Sequence, residues 1–201
     1  MRIKIVGVMG SSTESFPQVA RPLGKIIAEA GFHLLTGGGM GVMEEVCRGF
    51  YEVKGRRGLC IGIIPGDVTI RQNRRRDRSS KEQALSGKQR IYSPWEINQW
   101  VEIPIKTHLP MSGEQGKDTL SRNHINVLTS DILIALPGGA GTYSEVMLRI
   151  EYGGEVILYL GDGKIYGRSA SELKREIGTE RVIEATSLAQ IKEILNKQNG
   201  S

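Results

Sequence analysis

The sequence predicts a doubly wound α/β fold of three layers (αβα), a mostly parallel sheet between two layers of helices, on three observations. Short apolar runs rich in Val, Ile and Leu alternate with stretches of helical period. Those runs are continuous rather than alternating, as expected for strands covered on both faces. Glycine-rich turns follow several of them, and Gly supplies 26 of 201 residues, against an average of roughly 7%.

The elements follow in order. Ile3–Val8 reads as a strand. Val19, Leu23, Ile26, Ile27 and Ala30 share one helical face, with Gly31 as the stop. Phe32–Leu35 is a second strand, Val42–Phe50 a second helix and Cys60–Ile64 a third strand. After a long interval come a helix over Ser121–Ser130, a strand over Ile132–Leu136 and a helix over Thr142–Glu151. Val156–Leu160 is a strand, Ser171–Ile177 a helix, Val182–Ala185 a short strand and Leu188–Asn196 a closing helix.

The length suits one domain over residues 1–201, with a basic insertion at about 66–104. From Pro65 to Pro110 the rhythm breaks. The chain carries 27 Lys and Arg against 22 Asp and Glu, a net +5. Arg71, Arg74, Arg75, Arg76, Arg78, Lys81, Lys88 and Arg90, set against Asp77 and Glu82, place +6 in that one segment. A stretch of this length without its own elements is either a solvated surface insertion or a lid offering cations to an anionic ligand. Its aromatic neighbours are few (Tyr92, Trp95, Trp100) and no nucleic-acid module is recognisable, so nucleic acid is disfavoured as a partner.

Cys47 and Cys60 lie in apolar stretches without CxxC spacing. The first residues run straight into a strand pattern rather than a signal peptide, and no apolar run approaches the roughly 18 residues of a membrane span. A cytoplasmic protein that does not enter membranes is expected.

Three turns are loaded for anion binding: Gly7-Val8-Met9-Gly10-Ser11-Ser12, Thr36-Gly37-Gly38-Gly39-Met40-Gly41, and Pro137-Gly138-Gly139-Ala140-Gly141-Thr142. At the carboxyl edge of a parallel sheet, such turns lead into helix N-termini whose amides point outward. Familiar alternatives fail. Val42 occupies the sixth position of a GxGxxG pattern, and Thr36 with glycines stands where a ribose-binding acid would end strand two, which disfavours NAD. Gly116-Lys117-Asp118-Thr119 lacks the leading glycine of a P-loop, Met111 standing in its place. His33, His108 and His124 have no metal-ligand spacing, so no metal is expected.

Leu136–Glu145 resembles the PGGxGTxxE signature of the Lonely Guy (LOG) superfamily, of Rossmann-like fold. Thr36–Glu44 is similar to its GGGxxGxM turn, and Ser121-Arg122-Asn123 falls where the family places an arginine. The resemblance spans roughly Ile3 to Leu160. It implies one of two activities: a phosphoribohydrolase cutting the N-glycosidic bond of nucleoside 5′-monophosphates, or a non-catalytic carrier of the molybdenum cofactor or another phosphorylated pterin. Hydrolases usually read Arg-Lys where this chain has Arg122-Asn123, and Gly where it has Glu44; both departures lean toward the carrier-like branch or toward an uncharacterised one. The "possible lysine decarboxylase" label borne by many members finds no pyridoxal-phosphate site here. No required cofactor is implied, and a bound nucleotide or molybdopterin-type ligand is. Relatives commonly form dimers with the cleft near the boundary, so a homodimer or higher homo-oligomer is expected.

The resemblance assigns roles. Gly138, Gly139, Gly141 and Thr142 would hold the phosphate, with Gly38, Gly39, Met40, Gly41, Ser11 and Asn123 completing the binding site. Glu145 and Arg122 would be the catalytic pair, the carboxylate assisting glycosidic cleavage and the cation positioning it. Plainer roles stand beside these. Thr142-x-x-Glu145 is also a capping box, Arg122 a surface cation, Asn123 a cap, Glu44 a favourable first-turn acid, and Ser11 and Ser12 caps of the next helix.

Overall fold

The computed structural model describes residues 2–66, 97–178 and 180–199. The arginine-rich run Arg71–Arg90 and Trp95 lie outside the described residues. Seven parallel strands form one sheet: β1 (Ile5–Met9), β2 (His33–Thr36), β3 (Cys60–Ile64), β4 (Ile103–Lys106), β5 (Ile132–Ala135), β6 (Val156–Leu158) and β7 (Val182–Glu184), ordered β4-β3-β2-β1-β5-β6-β7. Among the described residues the α-helices are α1 (Pro17–Glu29), α2 (Val42–Glu52), α3 (Asn123–Thr129), α4 (Ala140–Glu151), α5 (Ala170–Ile177) and α6 (Leu188–Asn199). This is the three-layer arrangement expected from the continuous apolar strands.

Strand side chains alternate between two apolar layers. On one face Val6, Val8, Leu34 and Ile134 meet Leu23 and Ile27 of α1, Val46 and Phe50 of α2, and Ile191 and Leu195 of α6. On the other, Met9, Leu35, Leu133 and Ala135 meet Val127 of α3, Val146 and Leu148 of α4, and Leu173 of α5. Cys47 and Cys60 are buried free thiols of the first layer. Among the described residues, no helix is long and apolar enough to cross a membrane.

Two corrections to the sequence reading bear on the site. The irregular interval contains a strand: β4 pairs in parallel with β3, Ile61 opposite Ile103 and Ile63 opposite Ile105. Its pattern is hidden because it is an exposed edge strand interrupted by Pro104, a residue tolerated where one side of the backbone has no partner. Helix α4 also begins at Ala140, two residues earlier than expected, with Gly139 as N-cap. Thr142 is therefore inside the helix, and no Thr142–Glu145 capping box forms.

From β1 the chain winds outward through β2, β3 and β4, and from β5 it winds the opposite way through β6 and β7. The reversal lies between β1 and β5, and their carboxyl ends open a crevice there.

Candidate functional site

Backbone bonds gather the three glycine turns around this crevice. Ser11 N–H, after β1, donates to Pro137 O at 3.0 Å after β5, and Val42 N–H, entering α2, donates to Ser11 O at 2.9 Å. The three turns border a cleft at the carboxyl end of β1. It is lined by the end of β1, by Gly141, Thr142 and Glu145 of α4, and by Ser112, Gly113 and Arg122.

The α4 wall is electropositive by construction. Gly139 makes no side-chain cap, the first turn holds no acidic residue, and the first intrahelical bond runs from Tyr143 N–H to Gly139 O at 3.0 Å. The leading amides consequently have no helical acceptor, and the helix dipole adds positive potential at the same place. Gly139 borders open space: a Cβ there would have no neighbour within 4 Å.

Arg122 and Glu145 both line the cleft and interact electrostatically. Arg122, 5% exposed, sits at the N-cap of α3 with its guanidinium flat against Gly37, where a Cβ would lie 2.3 Å from Nη1. Its Nε and Nη1 have no hydrogen-bond partner. Burial lowers its pKa and Glu145 opposes that shift, yet an arginine stays charged. Glu145, 7% exposed, lies in the second turn of α4 and accepts a 2.7 Å bond from Asn126 Nδ2. Burial pushes its carboxyl pKa up, against the opposing pull of Arg122 and Asn126. A buried carboxyl with a raised pKa, facing an unpaired cation in a cleft, is the electrostatic pattern of a functional site.

Of the residues expected from sequence, Arg122, Asn123, Gly141, Thr142 and Glu145 line the cleft together. Asn123 also fastens α3 to α4 through Nδ2 to Ser144 Oγ at 3.0 Å. Others serve the framework. Gly138 donates its N–H to Lys164 O at 3.0 Å and accepts from Tyr166 N at 2.8 Å, so its amide is not free for phosphate. The Gly38 amide is likewise taken, by Thr36 Oγ1 at 3.0 Å. Ser11 Oγ accepts from the amides of Thr13 (3.2 Å) and Glu14 (2.9 Å), while its neighbour Ser12 lines the cleft. Gly38, Gly39, Met40 and Gly41 form the adjoining turn without lining the cleft. Met40 is 40% exposed. Glu44 lies in the first turn of α2.

The sequence reading overlooked Ser112, Asn98 and Asn126, and named Gly37 only as part of its turn. Asn98 pins the glycine turn, Nδ2 donating to Gly39 O at 2.8 Å and its backbone N–H to Gly38 O at 2.9 Å. It lies in the interval where no period was visible. Asn126 did carry a signal, four residues after Arg122 and so on the same face of a short helix.

A parallel sheet with glycine turns gathered round a cleft at its switch point is the architecture of a LOG-like protein of the Rossmann type. The SLOG cluster4 family model matches residues 3–192, and the chain belongs to that family. It is similar to the molybdenum cofactor binding protein of the phototrophic bacterium Rippkaea orientalis, with 30% identity, 98% of each chain covered and a TM-score of 0.70. The molybdenum cofactor carrier protein of Chlamydomonas reinhardtii shares 27% identity over the whole of both chains, with a TM-score of 0.68. An uncharacterised protein of Archaeoglobus fulgidus is 29% identical over 158 residues, covering 78% of this chain and 80% of that one.

Proposed function

We propose that the protein binds a nucleoside 5′-monophosphate or a similar phosphorylated heterocycle in this cleft, and that Glu145 serves hydrolysis of its N-glycosidic bond. One observation supports the reading: the first turn of α4, uncapped by any side chain, and Arg122, whose buried Nε and Nη1 have no hydrogen-bond partner, line the same cleft. The phosphate would take the leading amides of α4 around Gly139, Gly141 and Thr142, where the dipole favours negative charge. The sugar would then lie toward Glu145, one turn further in. Cleavage breaks the C1′–N bond; water supplies a hydroxyl to C1′ and a proton to the base, leaving ribose 5-phosphate. The Glu145 carboxylate would stabilise the oxocarbenium-like transition state or activate that water. Arg122, permanently charged, is suited to positioning rather than proton transfer.

The likeness to the Rippkaea and Chlamydomonas proteins over the full length favours a second reading, a carrier of molybdenum cofactor or another phosphorylated pterin. In that case Glu145 performs no bond cleavage and the same anion cleft holds cargo. Incubation with AMP and isopentenyl-AMP, followed by assay of free base, separates the two. Base release that is lost in Glu145→Ala while AMP binding persists supports hydrolysis. Equal release by variant and wild type would refute Glu145's role. No release, with a pterin found by mass spectrometry of the purified protein, establishes the carrier.

A further inference from the structure

Cys47 of α2 and Cys60, the first residue of β3, are fully buried free thiols, and neither lines the cleft. Packing alone asks a buried cysteine for apolar neighbours. These two have each other: the Cys60 thiol donates a hydrogen bond to Cys47. The Cys47 sulfur has two further polar contacts, Thr36 Oγ1 at 3.6 Å and Asn98 Nδ2 at 3.9 Å. Burial raises the Cys47 pKa, but the hydrogen bonds from Cys60, Thr36 and Asn98 together bring it below the ordinary thiol value. The bond to Cys47, and then burial, push Cys60 well above that value. One sulfur is set to lose its proton and the other to keep it, the asymmetry of a dithiol in which one thiol reacts first.

The groups that touch Cys47 are also those that hold the glycine turn. Thr36 Oγ1 accepts from the Gly38 amide at 3.0 Å, and Asn98 Nδ2 donates to Gly38 O at 3.2 Å and Gly39 O at 2.8 Å. Gly37 of that turn lines the cleft. We propose that Cys47 and Cys60 are a modification site, a dithiol that a peroxide closes to an intrachain disulfide, and that closure loosens the Thr36–Gly41 turn. The Cys47 thiolate attacks one peroxide oxygen; an S–O bond forms, the O–O bond breaks, and hydroxide leaves with a proton as water. The Cys60 sulfur then attacks Cys47 Sγ; the S–S bond forms, the S–O bond breaks, and the Cys60 proton departs with the second hydroxide as water. Both sulfurs are oxidised and the peroxide is reduced to two waters. A disulfide sulfur has no S–H and accepts poorly, so Thr36 and Asn98 lose their sulfur partner. Hydrogen peroxide is small enough to arrive through local opening of the fold. The inference is independent of what the cleft binds.

The test treats the folded protein with hydrogen peroxide, then maps its peptides without reductant. A linked Cys47–Cys60 peptide, lighter by two hydrogens and separated again by dithiothreitol, is expected. In the oxidised protein the Gly38 amide, followed by NMR, should exchange with solvent roughly 2- to 10-fold faster, the range for one lost hydrogen-bond contact, and should recover on reduction. Cys60→Ala should stop at a Cys47 sulfenic acid that dimedone captures; the wild-type comparison stands alone should that variant fail to fold. Both thiols left free in the folded protein, or linkage only between chains, overturns the dithiol. A linked peptide with Gly38 exchange unchanged overturns its coupling to the turn.

Discussion

Gly37 has no side chain, and that space is filled by Arg122. A Cβ built there lies 2.3 Å from Nη1, 2.5 Å from Nη2 and 2.7 Å from Cζ of Arg122. To reach ordinary contact at 3.4 Å the guanidinium of a Gly37→Ala variant must retreat by about 1.1 Å. That displacement carries a hydrogen bond of about 2.9 Å out to about 4 Å, beyond useful geometry. A bond to a charged group is worth roughly 1.5–3 kcal/mol, so AMP should bind roughly 10- to 100-fold more weakly. Stability should change little, because the atoms that must move end a flexible side chain and alanine restricts the unfolded chain. Calorimetric titration of wild type, Gly37→Ala, Arg122→Ala and the double variant completes a cycle. If the methyl acts by displacing Arg122, it has no further effect once Arg122 is gone. Wild-type affinity in Gly37→Ala, or the same loss with and without Arg122, would refute the reasoning.

Three further perturbations separate support from contact. Gly139→Ala should leave the melting temperature unchanged, its Cβ meeting nothing within 4 Å, yet weaken phosphate binding; Gly138→Ala, whose Cβ would lie 2.2 Å from Thr142 Oγ1, should lower both. Identical behaviour of the two variants would contradict this division. Burial raises the Glu145 pKa, so the folded state holds its proton more tightly and the stability this gives is lost as pH rises through the folded pKa. Glu145→Gln should therefore melt with the wild type near pH 4 and above it at pH 8; the reverse trend would show that Arg122 outweighs burial. Asn98→Ala removes buried bonds to Gly38 O, Gly39 O and Trp100 N, a loss of roughly 1–3 kcal/mol, or about 2–10 °C by thermal melting, and should loosen the glycine turn.

Most of the architecture was legible because burial writes itself into composition. β1, β2, β3, β5 and β6 are apolar on both faces, and α1 and α2 keep their stripes even where the rest of the helix is charged. β4 escaped for the opposite reason: all four residues are exposed, and Pro104 breaks the pattern. The resemblance pointed to Glu145 and Arg122, and both line the cleft as buried side chains, Arg122 at 5% exposure rather than as a surface cation. The site was illegible for Asn98 and Asn126, because an asparagine holding carbonyls or a carboxylate looks in sequence like any surface amide.

Glycine was the more ambiguous signal, and its division in the structure sharpens where the guest must lie. Gly37 makes room for a guanidinium, and Gly138 fits beneath Thr142 with its amide bonded to Lys164 O. These are packing demands inside the protein, and they would persist if no ligand existed. Gly139 is different: its missing side chain leaves open space at an uncapped helix terminus. Glycine is conformationally expensive in an ordered structure, so one that faces nothing signals a backbone kept bare for close approach. Arg122 adds two buried donors, Nε and Nη1, that no protein acceptor meets. Arg122 and the first turn of α4, through Gly141 and Thr142, line one cleft, and the proposed phosphate would draw on both.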